Sequence, residues 1–214
     1  MNQRHKVDAQ PAFVLHAYPY SETSLIIDVF SRDFGRVALL ARGARRPRSV
    51  LRGVLLAFQP LELAWAGRGE VQTLMKAEWQ GGQPLLAGKS LFCGYYLNEL
   101  LMNLLPREDA HARLFAVYAE TLRRFADGAQ ESDLRCFERA LLQELGYGLL
   151  LETDAEGVAV EADGDYAYEI ERGPVRLQRP GGSALSVSGR TLLDLAREDF
   201  SDPRSLSEAK QLMR

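Results

Sequence analysis

The sequence AFVLHAYPYSETSLIIDVFSRDFGRVALLA occupies residues 12–41. It contains three short runs rich in Val, Ile, Leu and Phe, at residues 12–17, 24–31 and 36–41. Turn-forming residues, among them Pro19 and Gly35, lie in the two breaks. Apolar runs of this length, broken this closely, favour consecutive β-strands over helices.

Two more strands are predicted further along the chain, at residues 54–66 and 71–79, with a compact turn at Gly67-Arg68-Gly69 between them. Five strands in a short segment, with a long polar loop after the third, are typical of a small Greek-key barrel of the OB type. An SH3-like barrel has a similar strand count, and strand spacing does not distinguish the two architectures.

The loop after the third strand carries a concentration of positive charge. Residues 41–53 are ARGARRPRSVLRG, and we call this segment the arginine loop. Gly43, Pro47 and Gly53 interrupt it, which argues against a continuous basic helix. The stretch from residue 36 to residue 52 contains no Asp or Glu and holds six arginines: Arg36, Arg42, Arg45, Arg46, Arg48 and Arg52.

Charge is distributed unevenly along the whole chain. Residues 1–80 hold eleven Lys or Arg and seven Asp or Glu, whereas residues 81–214 hold fifteen and twenty-two. The net charge of −3 therefore combines a basic front part with an acidic back part. The excess positive charge of residues 1–80 indicates a polyanion as the partner of the front part. Aromatic rings are interleaved through the front part, and we expect one or two of them to stack on bases. These rings are Phe13, Tyr18, Tyr20, Phe30, Phe34, Phe58, Trp65 and Trp79.

The remainder of the chain is predicted to be mainly helical. Helices are predicted at residues 88–105, 110–126, 132–145, 188–198 and 205–214. Residues 149–186 are acidic and glycine-rich, and a hairpin is predicted within them from strands at 166–171 and 175–178. The sequence thus predicts an α+β protein, with a barrel domain at residues 1–80 and a mainly helical domain at residues 81–214.

Three predicted helices carry start signals. Ser132 or Asp133 would begin the third, Ser188 would cap the fourth, and Ser205 with Glu208 has the spacing of a capping box for the last. The last helical pattern continues to the final residue of the chain. Either the helix finishes there or the chain has been cut short.

The chain contains none of the common catalytic or nucleotide-binding motifs, such as GxxxxGK[ST], GxGxxG after a strand, or HExxH. The acidic residues of the 149–186 segment lack the ligand spacing of a calcium loop, and Cys93 and Cys136 have no CxxC or histidine neighbour. We therefore expect no enzyme activity, no cofactor and no metal. No long apolar run and no signal peptide occur, so we expect a cytoplasmic protein with no membrane partner.

Eight segments, in order along nearly the whole chain, carry a family resemblance. They are FVLHAYPYSETSLIIDVFS (13–31), GRV (35–37), ARGAR (41–45), GRGE (67–70), YLNELL (96–101), FERALLQELGYG (137–148), SGR (188–190) and AK (209–210). Together they resemble the RecO family of bacterial DNA repair proteins. The resemblance implies an N-terminal OB domain followed by a helical domain.

The same resemblance implies a recombination mediator associated with the nucleoid. Such a protein binds single- and double-stranded DNA, anneals complementary strands and, with RecR, helps to load the RecA recombinase onto strands coated by single-strand-binding protein (SSB). Two features depart from the family pattern. No cysteine follows Cys136, so the chain resembles the branch without the four-cysteine zinc motif. The basic helical segment with which the family usually continues after residues 209–210 is also absent.

Two groups of residues are candidate binding sites. Arg68 and Lys76 join the six arginines as contacts to DNA phosphates, which would confer affinity more than sequence choice. The resemblance implies that the helical domain captures the acidic C-terminal tail of SSB, and Arg135 and Lys210 are the candidates for its carboxylates. The competing class is a protein-interaction module whose basic barrel binds an acidic protein partner instead of DNA.

Overall fold

Five strands close into a barrel in the computed structural model, which describes residues 5–178 and 186–213. They are β1 (His5–Pro19), β2 (Leu25–Ser31), β3 (Gly35–Ala41), β4 (Leu61–Gly67) and β5 (Val71–Trp79). Their order around the barrel is β1-β2-β3-β5-β4, with β3 and β5 parallel and every other neighbouring pair antiparallel. The predicted α+β fold with an N-terminal five-stranded barrel of the OB type is confirmed.

Strand β1 closes the barrel because it bends and pairs with two neighbours. Its first part lies against β4 and its second part against β2. The register with β4 shifts between Val7 and Gln10, where Ala9 has a positive φ of 52°. A bulge of this kind bends a strand and increases its twist. The prediction began this strand at residue 12, and the structure extends it back to residue 5.

The predicted strand at residues 54–66 is wrong in its first half. A short helix, α1 (Leu51–Val54), ends the arginine loop, and β4 begins only at residue 61. Phe58 has a positive φ of 65°, and Pro60 has no amide proton to donate to a ladder. Leu55 and Phe58 are nevertheless buried. The apolar pattern therefore belongs to a buried connection that is not part of the sheet.

Side chains of the barrel alternate between its interior and its outer face. Interior side chains include Val14, Ile27, Val29, Val37, Leu39 and Trp65. Helices α2 (Gly88–Leu104) and α3 (Ala112–Ala126) pack against the outer face of β1 and β2. There the ring centroid of Phe13 lies 5.2 Å from that of Tyr118, and Phe30 lies 5.5 Å from Phe115. The barrel and these two helices form one compact unit that ends at Ala129.

The second compact unit begins at Gln130 and combines helices with a small sheet. Its elements are α4 (Glu131–Glu144), β6 (Asp165–Glu169), β7 (Gly173–Arg176), β8 (Ser186–Ser188), α5 (Gly189–Arg197) and α6 (Pro203–Leu212). The predicted hairpin is present as β6 and β7, and β8 adds an unpredicted third strand beside β6. Buried residues of these elements, such as Tyr166, Leu192 and Leu195, form the core of the unit. The predicted domain division at residue 80 stays a prediction.

Ser188 caps α5, as predicted for the helix at residues 188–198. The Ser188 Oγ atom accepts a hydrogen bond from the Thr191 amide at 3.2 Å. The predicted start of the helix at residues 132–145 is wrong. This helix is α4, and it begins at Glu131 and not after Ser132 or Asp133. Asp133 lies three residues after the N-cap Gln130 and accepts its amide proton at 3.1 Å.

The predicted capping box of the last helix is also wrong. Helix α6 begins at Pro203, and the Asp202 carboxylate accepts the Arg204 amide proton at 2.8 Å. Ser205 and Glu208 instead make tertiary hydrogen bonds, to Asp194 and to β8 and α5. The capping spacing is present, but a better N-cap followed by proline lies three residues earlier. The last residue of the predicted helix, Arg214, lies outside the described residues.

Candidate nucleic-acid interface

The arginine loop joins β3 to α1 and is anchored at both ends. Ala44 is fully buried, and Leu51 and Val54 pack against the barrel core. Between these anchors the backbone turns through short-range hydrogen bonds, including Arg46 N–H to the Gly43 carbonyl at 3.1 Å. The chain therefore exposes most of its arginine side chains, while Ala44, Leu51 and Val54 hold the loop to the barrel.

Four guanidinium groups of the loop face solvent without a carboxylate partner among the described residues. They belong to Arg42, Arg46, Arg48 and Arg52. Clustered like charges that are left unneutralised raise the local positive potential and attract a polyanion. These four side chains therefore form an exposed positive cluster on the first unit.

Arg45 has a different environment from the other loop arginines. Its guanidinium donates to the Ser21 carbonyl at 2.6 Å, and its amide donates to the Thr23 carbonyl at 2.9 Å. Ser21 and Thr23 lie in the turn between β1 and β2. Arg45 thus fastens this turn to the arginine loop, so its side chain serves the shape of the surface as well as its charge.

Arg36 is half-buried on β3 and donates to the Met102 carbonyl near the end of α2. Burial, followed by the nearby positive charge of Arg107, lowers the pKa of the Arg36 guanidinium. Arg107 itself pairs with the buried carboxylate of Asp28 at 2.9 Å. Sequence reasoning missed Arg107. The available signal was Asp28, because a carboxylate buried within the apolar run of β2 needs a positively charged or hydrogen-bonding partner.

A cavity of about 340 Å³ adjoins this cluster, between β3, the β4–β5 turn and the segment after α2. Arg36 and Arg107 line it, but so do Glu70 and Glu108. Because opposite charges line the cavity in equal number, its electrostatics do not favour an anion.

The other two candidate phosphate contacts lie outside the loop. Arg68 is exposed in the β4–β5 turn. Lys76 is exposed on β5, where its Nζ atom pairs with Glu78 Oε1 at 2.8 Å. The hydrogen bond to Glu78, together with the charges of Glu62 and Asp8, raises the pKa of the Lys76 amine. Lys76 thus has a carboxylate partner close by, in contrast to the four loop arginines that have none among the described residues.

Most of the eight candidate stacking rings are core residues. Phe13, Phe30, Phe58 and Trp65 are buried, and Phe34 is half-buried with its ring 5.5 Å from that of Trp65. The exposed rings are Tyr18, Tyr20 and Trp79. Two of the three therefore lie at the β1–β2 end that Arg45 fastens to the arginine loop.

The candidate partner-binding residues of the second unit are already engaged. Arg135 is only 5% exposed, and its Nη2 atom lies 2.6 Å from Glu138 Oε1, one helical turn away on α4. Lys210 on α6 is half-buried and pairs with Glu131 Oε1 at 2.7 Å. A carboxylate arriving from a partner would compete with these internal acids.

The described residues offer neither a metal site nor a membrane span. No group of three or more His, Cys, Asp or Glu side chains within residues 5–178 and 186–213 is placed to hold a metal ion. None of the helices in these ranges combines the length and apolarity that crossing a bilayer requires.

The fold and this surface define an OB-barrel protein of the α+β class with an attached helical part. Models of the families described as recombination protein O N terminal and recombination protein O C terminal match residues 6–82 and 86–214. A DNA repair protein RecO from Dechloromonas aromatica is 67% identical, over 100% of this chain and 90% of the relative. RecO proteins from Aromatoleum aromaticum and an Azoarcus species are 54% and 55% identical with the same coverage. The chain belongs to the RecO family of DNA repair proteins.

Proposed function

We propose that this protein is a recombination mediator that acts by binding and without catalysis. It binds single- and double-stranded DNA, anneals complementary strands and, with RecR, helps to load RecA onto single strands coated by SSB. Membership of the RecO family supports this function at the level of the pathway. The observation that carries the DNA-binding step is the set of four exposed loop arginines with no carboxylate partner among the described residues.

The loop arginines act on the phosphate backbone. Each guanidinium that neutralises a phosphate releases a condensed counterion, so affinity falls steeply with salt and depends little on sequence. Two strands held on one basic surface repel each other less, which lowers the barrier to annealing. On this proposal the barrel surface supplies affinity, and pairing between the strands supplies specificity.

The second unit is the proposed site of protein partners. Its residues carry most of the negative charge of the chain, so it suits contacts other than DNA phosphates. Lys210 is the more accessible of the two candidate contacts to the SSB tail, because Arg135 is buried against Glu138. An SSB carboxylate would have to replace Glu131 at the Lys210 amine.

The decisive experiment replaces Arg46, Arg48 and Arg52 together with alanine. Arg45 is left in place because it holds the β1–β2 turn. We expect binding to all DNA sequences to weaken, the slope of log affinity against log salt to decrease by about 3, and strand annealing to slow. The measurements are fluorescence anisotropy over a salt series and annealing of labelled oligonucleotides with and without SSB.

A matched control removes three exposed arginines elsewhere, at Arg113, Arg123 and Arg172. It changes the net charge by the same amount and should leave the salt slope unchanged. Equal losses in the two triple variants would show that only net charge matters and would contradict the loop assignment. Absence of annealing by the unmodified protein would favour the acidic protein partner instead.

A further inference from the structure

An aromatic strip on the barrel lies uncovered beside the arginine loop. Tyr18 near the end of β1 is 41% exposed, and Tyr20 in the β1–β2 turn is 62% exposed. The His16 ring packs on Tyr18 with centroids 4.3 Å apart. The rings of His16, Tyr18 and Tyr20 occupy alternate positions along the end of β1 and its turn.

The strand register places this strip next to the loop. Tyr18 pairs with Ile26 on β2, and Ile26 pairs with Leu40 on β3, two residues before Arg42. Directly opposed residues on adjacent strands share a face and lie about 5 Å apart. Tyr18, Ile26 and Leu40 therefore form one continuous row that ends where the arginine loop begins.

The turn that carries Tyr20 is held to the arginine loop by a hydrogen bond. Arg45 donates to the carbonyl of Ser21, the residue after Tyr20, so the turn and the loop hold each other. The rings are thus positioned beside the phosphate contacts and not on a remote surface.

We propose that Tyr18 and Tyr20 form a base-stacking site for unpaired nucleotides whose phosphates contact the arginine loop. This inference rests on the proposed function. It adds that the two tyrosines make the protein bind single strands in preference to duplexes. Bases in a duplex are already stacked on their neighbours, whereas bases of a single strand can turn onto an exposed ring. The loop would then bind both forms of DNA, and the two tyrosines would favour the unpaired form.

The test uses the full chain, the double variant Tyr18→Ala with Tyr20→Ala, and three ligands of equal length. These are a thymidine oligonucleotide, an abasic oligomer with the same phosphates, and a duplex. We expect the double variant to lose about ten-fold or more in affinity for the thymidine oligonucleotide. Affinity for the other two ligands and the salt slope should stay unchanged. The matched double variant with phenylalanine should behave as the unmodified protein, because it keeps both rings.

Tyr147→Ala is the control for removal of an exposed ring, since Tyr147 is 70% exposed in the second unit. Equal losses on all three ligands would overturn the proposal, because the tyrosines would then serve the fold or the loop. Unchanged affinity for the thymidine oligonucleotide would also overturn it. If the Arg46, Arg48 and Arg52 variant still loses affinity in that case, DNA binding by the loop stands and only the stacking site fails.

Discussion

The side chain of Glu208 joins β8, α5 and α6 of the second unit. It accepts hydrogen bonds from Ser188 Oγ at 2.8 Å, Thr191 Oγ1 at 2.7 Å and Arg204 Nε at 2.7 Å. Burial on its own would raise the pKa of Glu208, but these donors and the Ser188 amide lower it below its ordinary value of 4.5. The folded protein therefore stabilises the charged form.

Glu208→Gln should lower the free energy of unfolding by about 1–3 kcal/mol near neutral pH, since charge-assisted bonds are replaced by neutral ones. A carboxylate with a lowered pKa contributes above its unfolded pKa of 4.5, and the contribution is lost as the pH falls through the folded value. The difference between the two proteins should accordingly shrink at about pH 3. Urea denaturation at both pH values measures it, with exposed Glu171→Gln as the control. A difference independent of pH would contradict this assignment.

At the scale of elements, α2 and α3 are tied to β1 by a buried polar chain. The Tyr118 hydroxyl donates to Asn98 Oδ1 at 2.5 Å, and Asn98 Nδ2 donates to the Leu15 carbonyl at 2.7 Å. Burial raises the pKa of Tyr118, so its phenol stays protonated and acts as a donor. The chain orients two helices that apolar packing alone would hold less specifically.

Tyr118→Phe should lower the free energy of unfolding by about 1–2 kcal/mol, because it leaves the Asn98 acceptor without this donor in a buried site. Urea denaturation measures the change, and exposed Tyr95→Phe should cost much less. The same substitution in an Asn98→Ala background should have a smaller effect, since the acceptor is already gone. An equal cost in both backgrounds would show that the hydroxyl does not act through Asn98.

At the scale of the whole molecule, the first compact unit extends well beyond the barrel, to Ala129. We expect a fragment of residues 1–129 to unfold cooperatively, whereas a fragment of residues 1–82 would expose the outer-face rings of Phe13 and Phe30. Exposed apolar surface of this kind promotes aggregation and loose packing. Thermal unfolding and binding of an apolar dye measure the difference. A sharp transition without dye binding in the shorter fragment would contradict the prediction.

Much of the fold was predictable because it depends on residues close together in the chain. Short apolar runs between turn residues indicated the strands of the barrel, and the same reasoning located the β6–β7 hairpin and the Ser188 cap. It failed at residues 54–60, where apolar side chains are buried in a connection, and at Ser205, where a correct local spacing is used for tertiary contacts. Local pattern cannot tell burial in a strand from burial in a loop.

The candidate site was likewise predictable in part from the sequence. Composition alone located the arginine loop, since a dense run of one charge cannot be buried and must face solvent or a polyanion. Only the tertiary structure decided which arginines are available. Arg45 donates to Ser21, Arg107 pairs with Asp28, and Arg135 pairs with Glu138. Folding also places Tyr18 and Tyr20 beside the arginine loop. Charge and apolarity are properties of the residue, whereas pairing and exposure depend on neighbours that folding brings from distant parts of the chain.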